Sequence, residues 1–196
     1  MGRRSYDMSA RAESVRRTRE SILDAAERSF EGRWYDEVTL ADVAKAAGVS
    51  QQTVVNHFGS KLQLYVTGVA ERVAPRIEAV RSRAVVGDVS SVVSVVVADY
   101  EERGDGTLRM QALALRHEEL AELVSGGRAA HREWVTSVLA PQLARRRGVR
   151  RERLATLLTT ALEVTTWGSL RHDQGLGREH VEEHLRALVS ALVEAG

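Results

Sequence analysis

The chain has 196 residues, enough for one or two small domains with a buried core. Its 28 basic side chains are balanced by 27 acidic ones, and a net charge of +1 excludes a general cationic coat for nucleic acid, so any DNA contact must be local. The absence of cysteine excludes disulfides and thiolate metal sites, while no signal peptide or membrane-length apolar run is legible, so the expectation is a soluble, cytoplasmic protein with no membrane partner.

The first twenty residues hold Arg3, Arg4, Arg11, Arg16, Arg17 and Arg19 against Asp7, Glu13 and Glu20. A disordered arm is expected over residues 1 to 8, with Arg16 or Arg17 near a phosphate. Residues 39 to 61 carry the most information. Thr39 can cap a helix with Asp42 at the third position of a capping box. Leu40, Val43, Ala44 and Ala47 follow at helical spacing. Gly48 can take the left-handed conformation that ends a helix. Val49 can plug the corner, and Ser50 can cap a second helix.

That second helix sets Gln51, Gln52, Thr53, Asn56 and His57 on a polar face and turns Val54 and Phe58 to the core. Gln and Asn suit bidentate hydrogen bonds to adenine edges, and Thr can serve a phosphate or a thymine methyl. Gly59 ends the helix. Ser60 and Gln63 read as a second capping box, with Lys61 in the first turn of the next helix, where a cation opposes the helix dipole unless a phosphate docks there. From Val43 to Ala70 there is no Asp or Glu, as a surface meant for phosphates requires. A short helix, a glycine turn and a second helix with a polar face form a helix-turn-helix.

Beyond Lys61 the pattern is helical throughout. Leu62, Leu64, Tyr65, Val66, Val69 and Val73 begin a fourth helix that Pro75 should kink or end near Ala74. Val89, Val92, Val93, Val96 and Tyr100 trace a buried central helix, with Val95 and Val97 on another face. Gly104-Asp-Gly106 should break it, and Thr107 should start a short helix through Arg116. A longer helix is expected from about Glu118 to Arg146, bent at Gly126-Gly127 and Pro141. Two final helices are expected from about Arg150 to His172 and from about Arg178 to Ala195. The fold class is all-α, about nine helices.

Residues 39 to 61, together with residues 18–30, Tyr35-Asp36 and Val38, closely resemble the DNA-binding domain of the tetracycline-repressor (TetR) family of bacterial transcription regulators. The resemblance covers about 45 residues and implies that residues 18–30 are the family's first helix, with Ile22, Leu23, Ala26 and Phe30 inward. Two positions depart from the pattern. Trp34 stands where the family has a helix-closing glycine, so the first helix should end differently, near Gly32. Val55 stands where a phosphate-contacting tyrosine is common, which removes one expected backbone contact.

The resemblance implies a helix-turn-helix domain over residues 9–61 and a helical effector-binding and dimerisation domain over residues 62–196. It implies a ligand-responsive repressor, a homodimer on a palindromic operator, whose partners are double-stranded DNA, itself and a small-molecule effector. The expected DNA-binding set is Arg16, Thr39, Lys45, Ser50, Gln51, Gln52, Thr53, Asn56, His57 and Lys61. Candidate effector residues are Tyr100, Met110, His117, His131, Trp134 and Trp167. Two C-terminal helices pair with their twins in the family, which nominates Leu158, Leu162, Val181, Leu185, Leu188 and Leu192 for the dimer interface.

No catalytic residue, cofactor or metal is expected. His180-Val-Glu-Glu-His184 matches a zinc-peptidase pattern literally, but only twelve residues follow it and a further ligand is needed downstream. The run Arg145-Arg-Arg147 with Arg150, Arg151 and Arg153 reads as solvated capping charge. Two other classes stay open. A helical enzyme would retain its activity when the motif is mutated, and an architectural module would bind DNA salt-dependently without sequence preference.

Overall fold

A computed structural model describes residues 3–195, excepting the side chains of residues 3–9 and of Glu119. The described residues are helical with no strand, and they divide into two compact units, Met1–Pro75 and Arg76–Gly196. The division falls at Pro75 rather than after Lys61, because the helix that starts at Lys61 packs on the first and third helices.

In the N-terminal unit, α1 spans Arg3–Phe30, α2 Leu40–Ala47, α3 Gln51–Phe58 and α4 Lys61–Gly68. The arm expected to be disordered is helical from Arg3 onward; Met1 and Gly2 lie outside the described residues. Helix α1 ends at Phe30, and Gly32 takes the left-handed turn at φ 69°. Trp34 therefore needs no left-handed backbone: its φ is −73°. Ile22, Leu23, Ala25, Ala26, Val38, Val43, Ala44, Val54, Phe58 and Leu64 form the core, with Phe30, Leu40, Ala47 and Val49 packed against it. Phe30, Tyr35 and Tyr65 close one end, their ring centroids 4.9 to 6.0 Å apart.

Pro75 does not end the fourth helix. The chain widens into a π turn over Val69–Val73 and continues as α5, Ala74–Arg81. The missing Pro75 N–H and the bulk of its ring are absorbed by the wider turn.

In the C-terminal unit, α6 runs Val89–Ala114, α7 Glu118–Val138, α8 Ala140–Ala144, α9 Gly148–Ala161, α10 Val164–Gly168 and α11 Arg178–Ala195, with a π turn over Ser169–Asp173 after α10. Helix α6 is central and packs on α7, α10 and α11. Asp88 caps it through the N–H groups of Ser90 and Ser91, at 2.9 and 3.1 Å. Val92, Val93, Val96, Val97 and Tyr100 lie in the core, and Val95 is half-buried.

One expected break is absent. Helix α6 passes through Gly104-Asp-Gly106, so no separate helix starts at Thr107. A Cβ on Gly104 would lie 2.4 Å from Cζ3 of Trp167, and one on Gly168 would lie 2.8 Å from Cδ1 of Leu108. These glycines let α6 and α10 approach closely, a role that needs no unusual backbone. Helix α7 is continuous through Gly126-Gly127, where a bend was expected, and stops at Val138, short of the expected Arg146. Conversely, the helix expected from Arg150 to His172 is divided at Leu162-Glu163.

The nominated interface residues need correction. Leu158, Leu162 and Val181 are fully buried and Leu185 is 1 % exposed, all within the core of the single chain. Helices α9 and α11 pack against each other and against their neighbours along this stripe, so it has no surface to offer a partner. Leu192 is half-buried against the same core. Leu188 is 41 % exposed and Leu157, its counterpart on α9, 43 %.

Candidate nucleic-acid interface

The helix-turn-helix is built from capped helices. The Asp42 N–H donates to Thr39 Oγ1 at 3.1 Å, and the Thr39 N–H donates back to Asp42 Oδ2 at 2.9 Å. These bonds, the backbone one first, hold the Asp42 carboxyl below the usual carboxylate range. At the other end of α2, Gly48 is left-handed at φ 69°, and the Val49 N–H donates to Ala44 O at 3.0 Å. This closes the carbonyl end of the helix and turns the chain into α3. Ser50 Oγ accepts from the Thr53 N–H at 3.1 Å. Ser60 Oγ accepts from the Gln63 N–H at 3.0 Å, one half of the expected reciprocal box.

Helix α3 buries Val54 completely and Phe58 almost so, which fixes its rotation. Gln51, Gln52 and Asn56 are then exposed, while Thr53, Val55 and His57 are half-buried. Gln52 Nε2 donates to Asn56 Oδ1 at 2.9 Å, so the two amides are prealigned one turn apart. Thr53 shares a hydrogen bond with the Ser50 hydroxyl at 2.8 Å. Lys45 and Thr39 are exposed on and before α2. Arg16 is exposed on α1 and paired with Glu13 at 2.6 Å.

Lys61 is placed differently from a free phosphate ligand. Its Nζ donates to Tyr35 O and Val38 O, both at 3.1 Å, and lies 4.1 Å from the centroid of the Tyr35 ring. The ammonium thus ties the short turn before α2 to the start of α4. Nothing in the spacing of the sequence reveals this, because the partners are backbone carbonyls more than twenty residues upstream. Sequence reasoning also missed Arg19, whose guanidinium lies over Phe58, 5.4 Å from the ring centroid.

The six effector candidates fall into two pairs and two separate positions. Tyr100 and Trp167 are core residues with ring centroids 5.9 Å apart. The Tyr100 hydroxyl donates to Leu162 O at 3.0 Å, and Trp167 Nε1 to Glu101 at 3.0 Å. His131 stacks on Trp134 at 6.3 Å, and the Trp134 indole N–H donates to Arg81 O at 3.3 Å. Burial pushes the His131 imidazole down to about 4, with the Arg81 charge adding to the shift. Met110 and His117 are half-buried near the end of α6 and at the cap of α7. The same region holds a buried Asp99 bonded to Arg81 Nε at 3.3 Å and Arg103 Nε at 2.8 Å, a group that apolar periodicity does not announce.

The zinc-peptidase pattern is spent otherwise: the His184 Nδ1 is 2.7 Å from His180 O. Among the described residues no three His, Cys, Asp or Glu side chains are grouped to hold a metal, and no helix is long and apolar enough to cross a membrane.

Capped helices around a left-handed glycine, with an exposed amide face on the second, define a helix-turn-helix protein. Residues 22–66 match the family model for bacterial regulatory proteins of the tetR family. That segment, and not the whole chain, is similar to the DNA-binding part of this family. It is 46 % identical over 59 residues to the HTH-type transcriptional regulator AlkX of Mycobacterium tuberculosis, covering 30 % of this chain and 28 % of that protein. It is 42 % identical over 52 residues to the HTH-type transcriptional regulator TtgR of Pseudomonas putida, covering 26 % and 25 %. The matched stretch spans about a quarter of the length of these relatives.

Likeness of fold extends further. A Rhodococcus sp. structure described as a TetR-family transcriptional regulator superimposes with a TM-score of 0.70 at 19 % identity, over 90 % of this chain and 98 % of that one. GusR of Salmonella enterica gives 0.65 at 21 % identity, over 90 % and 95 %.

Proposed function

We propose that this chain is a ligand-responsive transcriptional repressor that acts as a homodimer on palindromic DNA. The observation that carries the reading is the exposed amide face of α3: Gln51, Gln52 and Asn56 project from a capped helix, in a stretch from Val43 to Ala70 free of carboxylates. Gln52 and Asn56 read base edges, with Gln51, Thr53 and His57 beside them. Arg16, Thr39, Lys45 and Ser50 serve the phosphates. Lys61 has one ammonium donor beyond its two carbonyl bonds, and contributes mainly by holding the turn at residues 35–38. A DNA reader of this kind acts in the cytoplasm.

The face left for a second copy lies on α9 and α11. Leu157, Ala187, Leu188 and Ala191 are exposed there, on helices already packed side by side. Small and apolar residues on adjacent helices suit a four-helix contact across a twofold axis. Two readers related by that axis require a palindromic site with half-sites in successive major grooves. The effector binds the C-terminal unit, with Tyr100, Met110, His117, His131, Trp134 and Trp167 as candidate contacts. It relieves repression only if it favours the DNA-incompetent state.

Selection of bound sites from random DNA tests the reading. The expected result is a palindrome, against which Asn56→Ala or Gln52→Ala costs roughly 1–3 kcal/mol while binding to random DNA falls much less. Recovery of no sequence preference would favour an architectural module instead.

A further inference from the structure

The helix that begins at Lys61 is not uniform. At Val69–Val73 it widens into the π turn, closed by the Ala74 N–H donating to Val69 O. Pro75 follows directly; in an unbroken α-helix its ring would press on the carbonyl four residues earlier, that of Glu71. The turn carries both Glu71 and Arg72, and both reach α1. Glu71 accepts the two terminal nitrogens of Arg19 at 2.7 and 2.6 Å. Arg72 donates to Glu20 and, at 3.2 Å, to Asp24. The pairs are crossed, with a cation on α1 meeting an anion on the turn and the reverse one position on. Arg19 also covers Phe58, the last residue of the recognition helix. One side chain thus touches the wide turn and the end of α3.

We propose that the π turn and its crossed ion pairs form a register lock, which holds the recognition helix through Arg19 only while residues 69–73 keep the π register. The inference rests on the reading of α3 as the DNA reader and adds a regulatory element to it. Each residue of an α-helix advances about 100° around the axis. Return of the turn to the α register therefore swings Glu71 and Arg72 off α1 by a large fraction of that angle. Arg19 then loses the fork-to-carboxylate contact that orients its guanidinium over Phe58.

The lock is weak enough to open. The side chains of Arg19 and Glu71 remain 33 % and 42 % exposed, so their attraction is screened by water and salt. Arg19 holds the Glu71 carboxyl below the usual carboxylate range, so the anion persists at neutral pH.

Amide hydrogen exchange over residues 51–60 of the full chain, without DNA, tests the lock. Arg19→Met, Glu71→Gln and Arg72→Gln should each speed exchange there by about two- to five-fold, the scale of an exposed ion pair. Arg72→Gln is the discriminating variant, because its bonded partners are all on α1. Arg72→Lys should stay close to wild type. Arg19→Met/Glu71→Gln should be no faster than Arg19→Met alone. An unchanged α3 in Arg72→Gln overturns the lock, as does an equal acceleration across α1 and α2, which would report general unfolding. In DNA titrations Arg19→Met should leave the salt slope unchanged; a fall of about one unit would make Arg19 a phosphate contact and overturn the assignment. A wild-type protein that selects no DNA would remove the DNA-reading function while the exchange result still decides the lock.

Discussion

In the N-terminal unit Gly48 sits at φ 69° with open space where a Cβ would stand, whereas in the C-terminal unit Gly104 lies inside α6 and a Cβ there would meet Trp167 at 2.4 Å. The first glycine is required by its own backbone, the second by its neighbour. Polar side chains divide the same way. Thr39, Ser50 and Ser60 bond to N–H groups three residues away. Tyr100 reaches Leu162 O, Trp167 reaches Glu101 and Arg171 reaches Glu101, each across more than sixty residues. Short-range chemistry caps the helices of the N-terminal unit, and the polar bonds of the C-terminal core span long stretches of chain.

The largest test of this contrast is a buried group of the C-terminal unit. His131 is neutral in the folded protein because burial lowers it from the usual 6.5 to about 4, while the unfolded chain takes up its proton below about 6.5. The unfolded state therefore binds more protons between these values. The His131 contribution is complete above pH 6.5 and is lost as pH falls toward 4, by about 3 kcal/mol in all. Urea unfolding at pH 7.5 and pH 4.5 should show a much smaller difference in His131→Leu than in wild type. Equal differences would place His131 at the surface.

A smaller effect is expected at the close approach of α6 and α10. Gly104→Ala gains roughly 1 kcal/mol of helix propensity but forces the Trp167 ring aside, for a net loss of about 2 kcal/mol. Thermal unfolding should show the loss, and a Trp167→Leu background should largely remove it. If Gly104→Ala raises the melting temperature instead, the contrast between the two kinds of glycine fails.

The smallest effect has the opposite sign. Gly126 lies within α7, and a Cβ there would have nothing within 4 Å, so Gly126→Ala should stabilise by roughly 0.5–1 kcal/mol. The same substitution thus separates a glycine that clears space from one that does not, and a loss at Gly126 in thermal unfolding would show an unrecognised contact.

Much of the reader was legible in the sequence. Thr39, Gly48, Ser50 and Gly59 each announce a boundary through chemistry confined to one or two turns, and the carboxylate-free stretch marks the exposed face. Lys61 was legible as a cation at a helix start but not as a tie to Tyr35 O and Val38 O, because that contact depends on how the chain returns. Pro75 signalled a break, and the structure answers with a π turn. Gly104-Asp-Gly106 carried the same breaking signal, yet it lies inside a continuous helix. Helix α9 gave the reverse error, since no residue near Leu162-Glu163 predicts a stop as glycine or proline would.

The sequence by itself determined that the chain is helical, where the caps of the reader fall, and which face of α3 carries amides, because hydrogen bonds and side-chain periodicity act within a few residues. It determined that Leu158, Leu162, Val181 and Leu185 must be buried. Only the tertiary structure decided that they are buried within the single chain, leaving Leu157 and Leu188 outside, and that Gly104 yields its place to Trp167. An apolar stripe fixes the free-energy cost of exposure but not the identity of the neighbour that relieves it, and that identity follows from the path of the whole chain.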